Sequence, residues 1–221
     1  MMNDMSQKRR KPILLASIAL LALLVGVAAG WINQQINAPQ APKLQFATAL
    51  LEQARPLPSF SLLDDTGKRF NNARLAGKWS FLFFGYTHCP DICPTTLATL
   101  NEAMQTVGDR GDAGGTQIVF VSIDPQRDTP EKLKDYVRYF NPKFVGVTGG
   151  QRALDRLTRA LGIIHTRVPD PNGGNDYLMD HSASIILVDP KGKVAALFSP
   201  PFKARQLASD FHKLRDSYQQ S

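Results

Sequence analysis

Trp79-Ser80-Phe81-Leu82-Phe83-Phe84 and, further along, Ile118-Val119-Phe120-Val121-Ser122-Ile123 are short runs without a charge. Runs of this length and character read as strands buried on both faces, which requires a sheet with helices packed against it. The segments around them alternate accordingly. Phe60 to Leu63, the turn Asp65-Thr66-Gly67-Lys68 and Phe70 read as a strand, a turn and a second short strand. After the first apolar run, Pro94 suits the first position of a helix extending to about Val107. After the second, Asp124-Pro125-Gln126-Arg127-Asp128-Thr129-Pro130 is a loop that ends in a cap and a proline start. The helix it opens carries Leu133, Tyr136, Val137 and Phe140 at helical spacing. Phe144 to Thr148 reads as a third strand and Arg152 to Leu161 as a third helix. Pro169 to Asp176 is dense in turn formers and leads into Met179-Asp180-His181-Ser182. Strands over Ser184–Val188 and Val194–Phe198 flank the turn Asp189-Pro190-Lys191-Gly192, and a final helix takes roughly Lys203 to Tyr218. The pattern predicts a three-layer α/β domain with a central mixed sheet.

The two cysteines of the chain, Cys89 and Cys93, fall where the first run meets its helix, in Gly85-Tyr86-Thr87-His88-Cys89-Pro90-Asp91-Ile92-Cys93-Pro94. Open α/β sheets place their sites there, at the carboxyl end of a central strand. A structural staple is the weakest use of the pair. Closing a loop of about five residues removes only roughly 2 kcal/mol of unfolded-chain entropy, whereas 221 residues, 43% of them hydrophobic, build a far larger core. Redox chemistry and metal binding remain. Cys93 at or near the N-cap is expected to gain acidity from the helix N-terminus, with Asp91 opposing. Three intervening residues allow a disulfide and equally allow two sulfurs to face one soft metal ion, so spacing alone does not choose.

The N-terminus sets the expected compartment. Lys8-Arg9-Arg10-Lys11 precedes an uncharged, mostly apolar run from Ile13 to Ile32. About twenty helical residues span the hydrocarbon core of a bilayer, and the basic cluster is expected to stay cytoplasmic. The reading is a basic flank over residues 1–12, a transmembrane anchor over 13–32, a linker over 33–56 and a globular domain over 57–221. A cleaved signal peptide ending near Val27-Ala28-Ala29 is the rival. No cysteine lies near the end of the run, which excludes a lipid-modified anchor. An exported vicinal thiol pair oxidises unless a reductant or a metal holds it, so function is expected to follow redox state. Of the +7 formal charge, +4 belongs to residues 40–221, and no basic stripe with interleaved aromatics occurs. Nucleic acid is not an expected partner.

A third ligand would favour metal. His212 sits beside Phe211 and Leu214 on the final helix and reads as packing or surface. His165 follows Ile163-Ile164 and reads as structural or exposed. His88 abuts Cys89, but neighbours in an extended segment point apart, leaving it at most an electrostatic role. His181, between a glycine-bearing loop and a strand, is placed where a loop could carry it over the thiols. Met179 offers a thioether but equally fills a core gap. Asp180 either orients His181 or belongs to a turn. Asp124, Arg127 and Asp128 read as shaping a loop beside the site, with contact to a partner as the alternative.

Thr87-His88-Cys89-Pro90-Asp91-Ile92-Cys93-Pro94, Ser122-Ile123-Asp124-Pro125-Gln126-Arg127-Asp128-Thr129 and Tyr177-Leu178-Met179-Asp180-His181-Ser182 resemble the three signature segments of the SCO/SenC family. These are membrane-anchored copper proteins with a thioredoxin-like fold, and the resemblance covers roughly Leu57 to Tyr218. It implies copper bound by Cys89, Cys93 and His181. It also implies loading by a periplasmic copper donor and delivery to a respiratory oxidase, most often the dinuclear copper site of cytochrome c oxidase subunit II. Two thiolates suit Cu(I), and an added imidazole suits Cu(II). A Cys89–Cys93 disulfide would abolish such a site. The rivals are a thiol–disulfide reductase with Cys89 attacking and Cys93 resolving, and a redox or copper sensor. A peroxidase of peroxiredoxin type fits poorly, because Thr87 lies two residues before Cys89 and that family places its Thr or Ser three before.

Overall fold

The uncharged runs are the centre of a sheet. The computed structural model describes residues 19–34, 44–45, 47–109, 115–169 and 177–219. Residues 19–34 form a helix, α1. The elements that follow are β1 (Ala47–Pro56), β2 (Ser61–Asp64), β3 (Arg69–Asn71), β4 (Trp79–Gly85), α2 (Ile92–Asp109), β5 (Thr116–Ser122), α3 (Pro130–Phe140) and β6 (Val145–Thr148). Then come α4 (Gln151–Ala160), β7 (His165–Pro169), β8 (Tyr177–His181), β9 (Ile185–Val188), β10 (Lys193–Phe198) and α5 (Ala204–Gln219). By its contacts the chain divides into two units, one holding α1 and the other Pro42–Gln219. Every side chain of α1 is exposed, Leu20, Leu24, Trp31 and Ile32 included. No described helix is long and apolar enough to cross a membrane, and residues 13–18 of the expected anchor lie outside the described residues.

Eight strands form one mixed sheet in the order β1-β10-β9-β4-β5-β6-β2-β3. β4, β5 and β6 run parallel, and the remaining pairings are antiparallel. All seven residues of β4 are buried, as an uncharged run between two neighbours and two faces should be. Side chains at 81, 83 and 85 share one face by the two-residue period of a strand. On that face Phe81 meets Phe211 of α5 at 5.3 Å between ring centroids, and Phe83 meets Phe120 at 5.9 Å. Phe120 in turn meets Tyr136 of α3 at 5.5 Å. A methyl group on Gly85 would come within 2.7 Å of the Cys93 sulfur, so α2 lies directly on the end of β4. α4 packs against β2.

Three expectations need correction. Residues 47–56, read as the end of the linker, are β1, paired with β10 along the sheet edge. Asp210 of α5 accepts hydrogen bonds from the backbone N–H groups of Gln45 (3.1 Å) and Ala47 (2.8 Å), which fixes where that strand begins. The helix expected from Pro94 begins two residues earlier, so Cys93 lies inside its first turn rather than at its cap. The segment before Ser182, read as loop, is strand β8; with β7 it makes a separate two-stranded sheet in which His165 stands opposite His181. Residues 170–176 of the expected turn-rich loop lie outside the described residues.

Candidate metal centre

The chain leaves β4 at Gly85 and turns tightly, with the Cys89 N–H donating to the Tyr86 carbonyl at 3.3 Å. Cys89 sits in that turn and Cys93 one helical turn on, fully buried. Only a residue without a side chain fits at position 85, because a Cβ there would also stand 2.8 Å from the Phe120 ring. From the other side, β8 ends at His181, whose Nε2 is 3.7 Å from Cys93 Sγ. The two sulfurs and the imidazole nitrogen all lie within 4.8 Å of one another. Cys89 and His181 open onto a cleft of about 340 Å³ lined also by Tyr86, Pro90, Val168 and Leu178, with Cys93 buried behind them. The three residues named as ligands are thus brought together, and no other group of three His, Cys, Asp or Glu donors occurs among the described residues.

The geometry also assigns the proton on His181. Nδ1 faces the Ser182 carbonyl at 3.3 Å, so it carries the hydrogen and donates, leaving the Nε2 lone pair toward the thiols. The thiols themselves are unlike. A hydrogen bond from Cys93 holds the Cys89 thiol well below the ordinary thiol range against the opposing effect of burial. That same bond, with burial and the neighbouring Cys89 charge, pushes the Cys93 thiol up. The expectation that the helix N-terminus would favour Cys93 is reversed, since burial and a second thiolate a few ångströms away outweigh half a unit of dipole charge. Tyr86 closes the group, its ring edge-on to His181 at 6.0 Å between centroids. Burial pushes its phenol up, against a smaller lowering by the Met179 backbone N–H.

The other candidates are placed elsewhere. His88 is exposed, with Nδ1 3.2 Å from Thr87 Oγ1 and 3.9 Å from Asp128, away from the sulfurs. His165 turns its Nε2 to Thr158 Oγ1 at 3.1 Å and to Asp155 at 3.7 Å. His212 is buried on α5 against Phe211. Met179 is half-buried and packs against the core, and Asp180 is exposed on the opposite side of β8 from His181.

Asp124, Arg127 and Asp128 do shape the loop, and they do more than the sequence indicated. Asp128, almost wholly buried, accepts from Ser122 Oγ (2.6 Å), the Thr87 N–H (3.0 Å) and Thr87 Oγ1 (2.6 Å), which fastens the turn leading to Cys89. Arg127 pairs with buried Asp124 and donates from Nη1 to the Tyr177 carbonyl at 2.9 Å. Tyr177 donates its hydroxyl proton to Asp124 at 2.7 Å. Tyr177 and Gly85 carry no signal of their own in the sequence beyond a strand-end glycine and a membership in the third segment.

The SCO1/SenC family model matches residues 48–216. An SCO2-like protein of Rickettsia conorii is 34% identical over 176 residues, covering 80% of this chain and 85% of its own length. The structure of Bradyrhizobium japonicum ScoI with copper bound is 34% identical, with a TM-score of 0.64 over 73% of this chain and 99% of that one. The structure of Arabidopsis thaliana ScoI with copper bound is 33% identical, with a TM-score of 0.67 over 72% of this chain and 98% of that one.

Proposed function

The chain belongs to the SCO1/SenC family, and from that premise we propose that it is a membrane-anchored copper chaperone that serves a respiratory oxidase. The observation that carries the reading is the approach of two thiols and one imidazole nitrogen to within 4.8 Å at an open cleft. The donor set fits copper: Cys89 readily supplies a thiolate, Cys93 a second sulfur for Cu(I), and the Nε2 lone pair the nitrogen that Cu(II) favours. Zinc ordinarily closes its sphere with a fourth protein ligand at structural sites, and none joins this group among the described residues. Cargo transfer is by ligand exchange, a thiolate of the target replacing His181 or one cysteine. The favoured recipient is the copper site of cytochrome c oxidase subunit II, with a periplasmic copper donor upstream. The uncharged run Ile13–Ile32 behind Lys8–Lys11 supports an inner-membrane anchor with the domain in the periplasm.

Anaerobic titration of the reduced full chain in detergent with Cu(I) and Cu(II), beside His181→Ala, tests the reading. Tight one-to-one binding is expected, with Cu(II) binding lost or its sulfur-to-copper absorption altered in the variant while Cu(I) is retained. Weak binding indifferent to His181 would overturn it.

A second reading, a thiol–disulfide reductase acting on the target's cysteines, draws on the acidic Cys89 beside a protonated Cys93. Cys89 would attack a target disulfide and release one target thiolate. Cys93 would then attack the Cys89 sulfur, its proton passing to the departing target sulfur, which leaves as the second thiol and yields a Cys89–Cys93 disulfide. Such turnover would be unaffected in His181→Ala, and that difference separates the two roles.

A further inference from the structure

The hairpin that presents His181 is hydrogen-bonded into no strand of the main sheet, because β7 and β8 pair only with each other. An imidazole at the end of a free-standing two-stranded ribbon needs another hold if it is to stay over the thiols, since such a ribbon is marginal alone. The hold is at Tyr177, the opposite end of the same strand. Arg127 donates to its carbonyl at 2.9 Å and sets its guanidinium carbon 3.6 Å from the centre of its ring. The Arg167 guanidinium carbon lies 3.8 Å from the same ring centre. Two guanidinium groups that near one centroid occupy opposite faces, so the phenol is held between two cations. Its hydroxyl is anchored on Asp124 at 2.7 Å, and Arg167 of β7 donates to Gln126 Oε1 at 2.8 Å. One loop, residues 124–127, thereby grips both strands of the hairpin. The next residue of that loop, Asp128, fastens Thr87, two positions before Cys89.

We propose that Arg127 is a positioning residue for His181: through Tyr177 it latches the β7–β8 hairpin to the loop that also holds the cysteine turn, so that the imidazole is set over the thiols before metal arrives. The inference rests on the reading of Cys89, Cys93 and His181 as copper ligands. Its consequence is selective. Cu(I) is satisfied by two thiolates, which the Asp128 branch positions, while Cu(II) depends on the imidazole, which the Arg127 branch positions. Releasing the latch should therefore weaken Cu(II) far more than Cu(I). A general loss of stability would weaken both.

The test uses the full chain in detergent with Arg127→Gln, Arg127→Lys and His181→Ala. In the copper-free protein, amide hydrogen exchange over residues 177–181 should quicken about tenfold or more in Arg127→Gln, with β4 and β9 unchanged. Cu(II) affinity should fall about tenfold or more, as loss of a group that orients a ligand does elsewhere. The sulfur-to-copper absorption should shift toward that of His181→Ala, and Cu(I) affinity should stay within about threefold. Arg127→Lys keeps the charge and loses the fork, so it should fall between the two. Should Arg127→Gln fail to fold, Arg127→Lys decides by the same exchange and Cu(II) readouts. Unchanged exchange in β8 with an unchanged Cu(II) spectrum would overturn the latch, as would equal losses of Cu(I) and Cu(II). Failure of the copper reading is distinguishable, because His181→Ala would then leave Cu(II) binding intact while the exchange readout still judged the latch.

Discussion

A thiol in the first turn of a helix ordinarily gains acidity from the unsatisfied N–H groups around it. Cys93 has that position and is nevertheless the sulfur that keeps its proton. It is fully buried, and its hydrogen bond to Cys89 would have to be given up on ionisation. Two thiolates within 4.8 Å would also repel, so the pair ionises once, at the sulfur that reaches the cleft. Because the Cys89 thiol is lowered, its thiolate is present at neutral pH and disappears only as pH falls through that lowered value; Cys93, raised, remains a thiol throughout. Iodoacetamide on the reduced, copper-free protein should therefore modify Cys89 first, at a rate nearly level between pH 6 and pH 8, a window set by those two directions. In Cys93→Ala the donor is gone, and the Cys89 rate should climb with pH across the same window as an ordinary thiol does. Peptide mapping by mass spectrometry reads both. Preferential modification of Cys93 would mean that the charge resides on the other sulfur.

Hairpins at the sheet edges show how local chemistry sets an element. Between β2 and β3, Asp64 accepts from the Thr66 N–H (3.0 Å), Thr66 Oγ1 (2.6 Å) and the Lys68 N–H (2.9 Å), and pairs with Arg74 at 3.4 Å. Burial works to raise this carboxyl, but the hydrogen bonds and the Arg74 charge outweigh it, and Asp64 sits below the usual carboxylate range. A depressed native pKa gives stability that is present above the ordinary value and is lost as pH falls through the lowered one. Asp64→Asn should cost about 1–3 kcal/mol at pH 7 and flatten the decline in stability below pH 4 relative to the parent, as urea unfolding at several pH values would show. Equal acid sensitivity in both proteins would place the loss elsewhere. This turn was legible in Asp65-Thr66-Gly67-Lys68, as β4 and β5 were in their uncharged runs, because burial on both faces leaves no room for polar residues. β7 and β8 were not: their residues are half-exposed, carry no apolar run and pair only with each other. β1 was hidden as an edge strand whose register slips twice along β10. Of the site, the cysteine turn is local and was readable, whereas His181 lies 88 residues from Cys93. Among four histidines its place between a glycine-bearing loop and a strand made it the best candidate, and the resemblance of its segment selected it, since nothing in local pattern encodes which strand ends fold together. The latch at Tyr177 was similarly unreadable, because it is made by two segments 50 residues apart.

At the scale of the whole chain, the question is where the tether stops and the folded body starts. The linker was expected to run to residue 56, but the sheet claims the chain from Ala47, and Asp210 holds Gln45 and Ala47 by their backbone N–H groups. Two truncations therefore have opposite outcomes. A chain beginning at residue 40 keeps β1 and both Asp210 bonds, and should be soluble, cooperatively folded and equal to the full chain in copper titration. A chain beginning at residue 57 leaves the β10 edge unpaired and takes from the buried Asp210 carboxylate the two backbone N–H donors of Gln45 and Ala47, leaving it the Lys213 ammonium at 3.6 Å. An uncovered edge pairs with other chains, and each hydrogen bond taken from a buried carboxylate costs about 1–3 kcal/mol, so this chain should aggregate or unfold at lower denaturant. The full chain, by contrast, should sediment with membranes and require detergent, because the run Ile13–Ile32 has the length and lack of charge that a bilayer demands. Protease added outside intact spheroplasts should degrade the domain while leaving cytoplasmic proteins whole. Full-chain material that is soluble without detergent would refute the anchor. A residue-57 chain as stable as the residue-40 chain would show that β1 contributes nothing to the fold, and the boundary would return to where composition alone had put it.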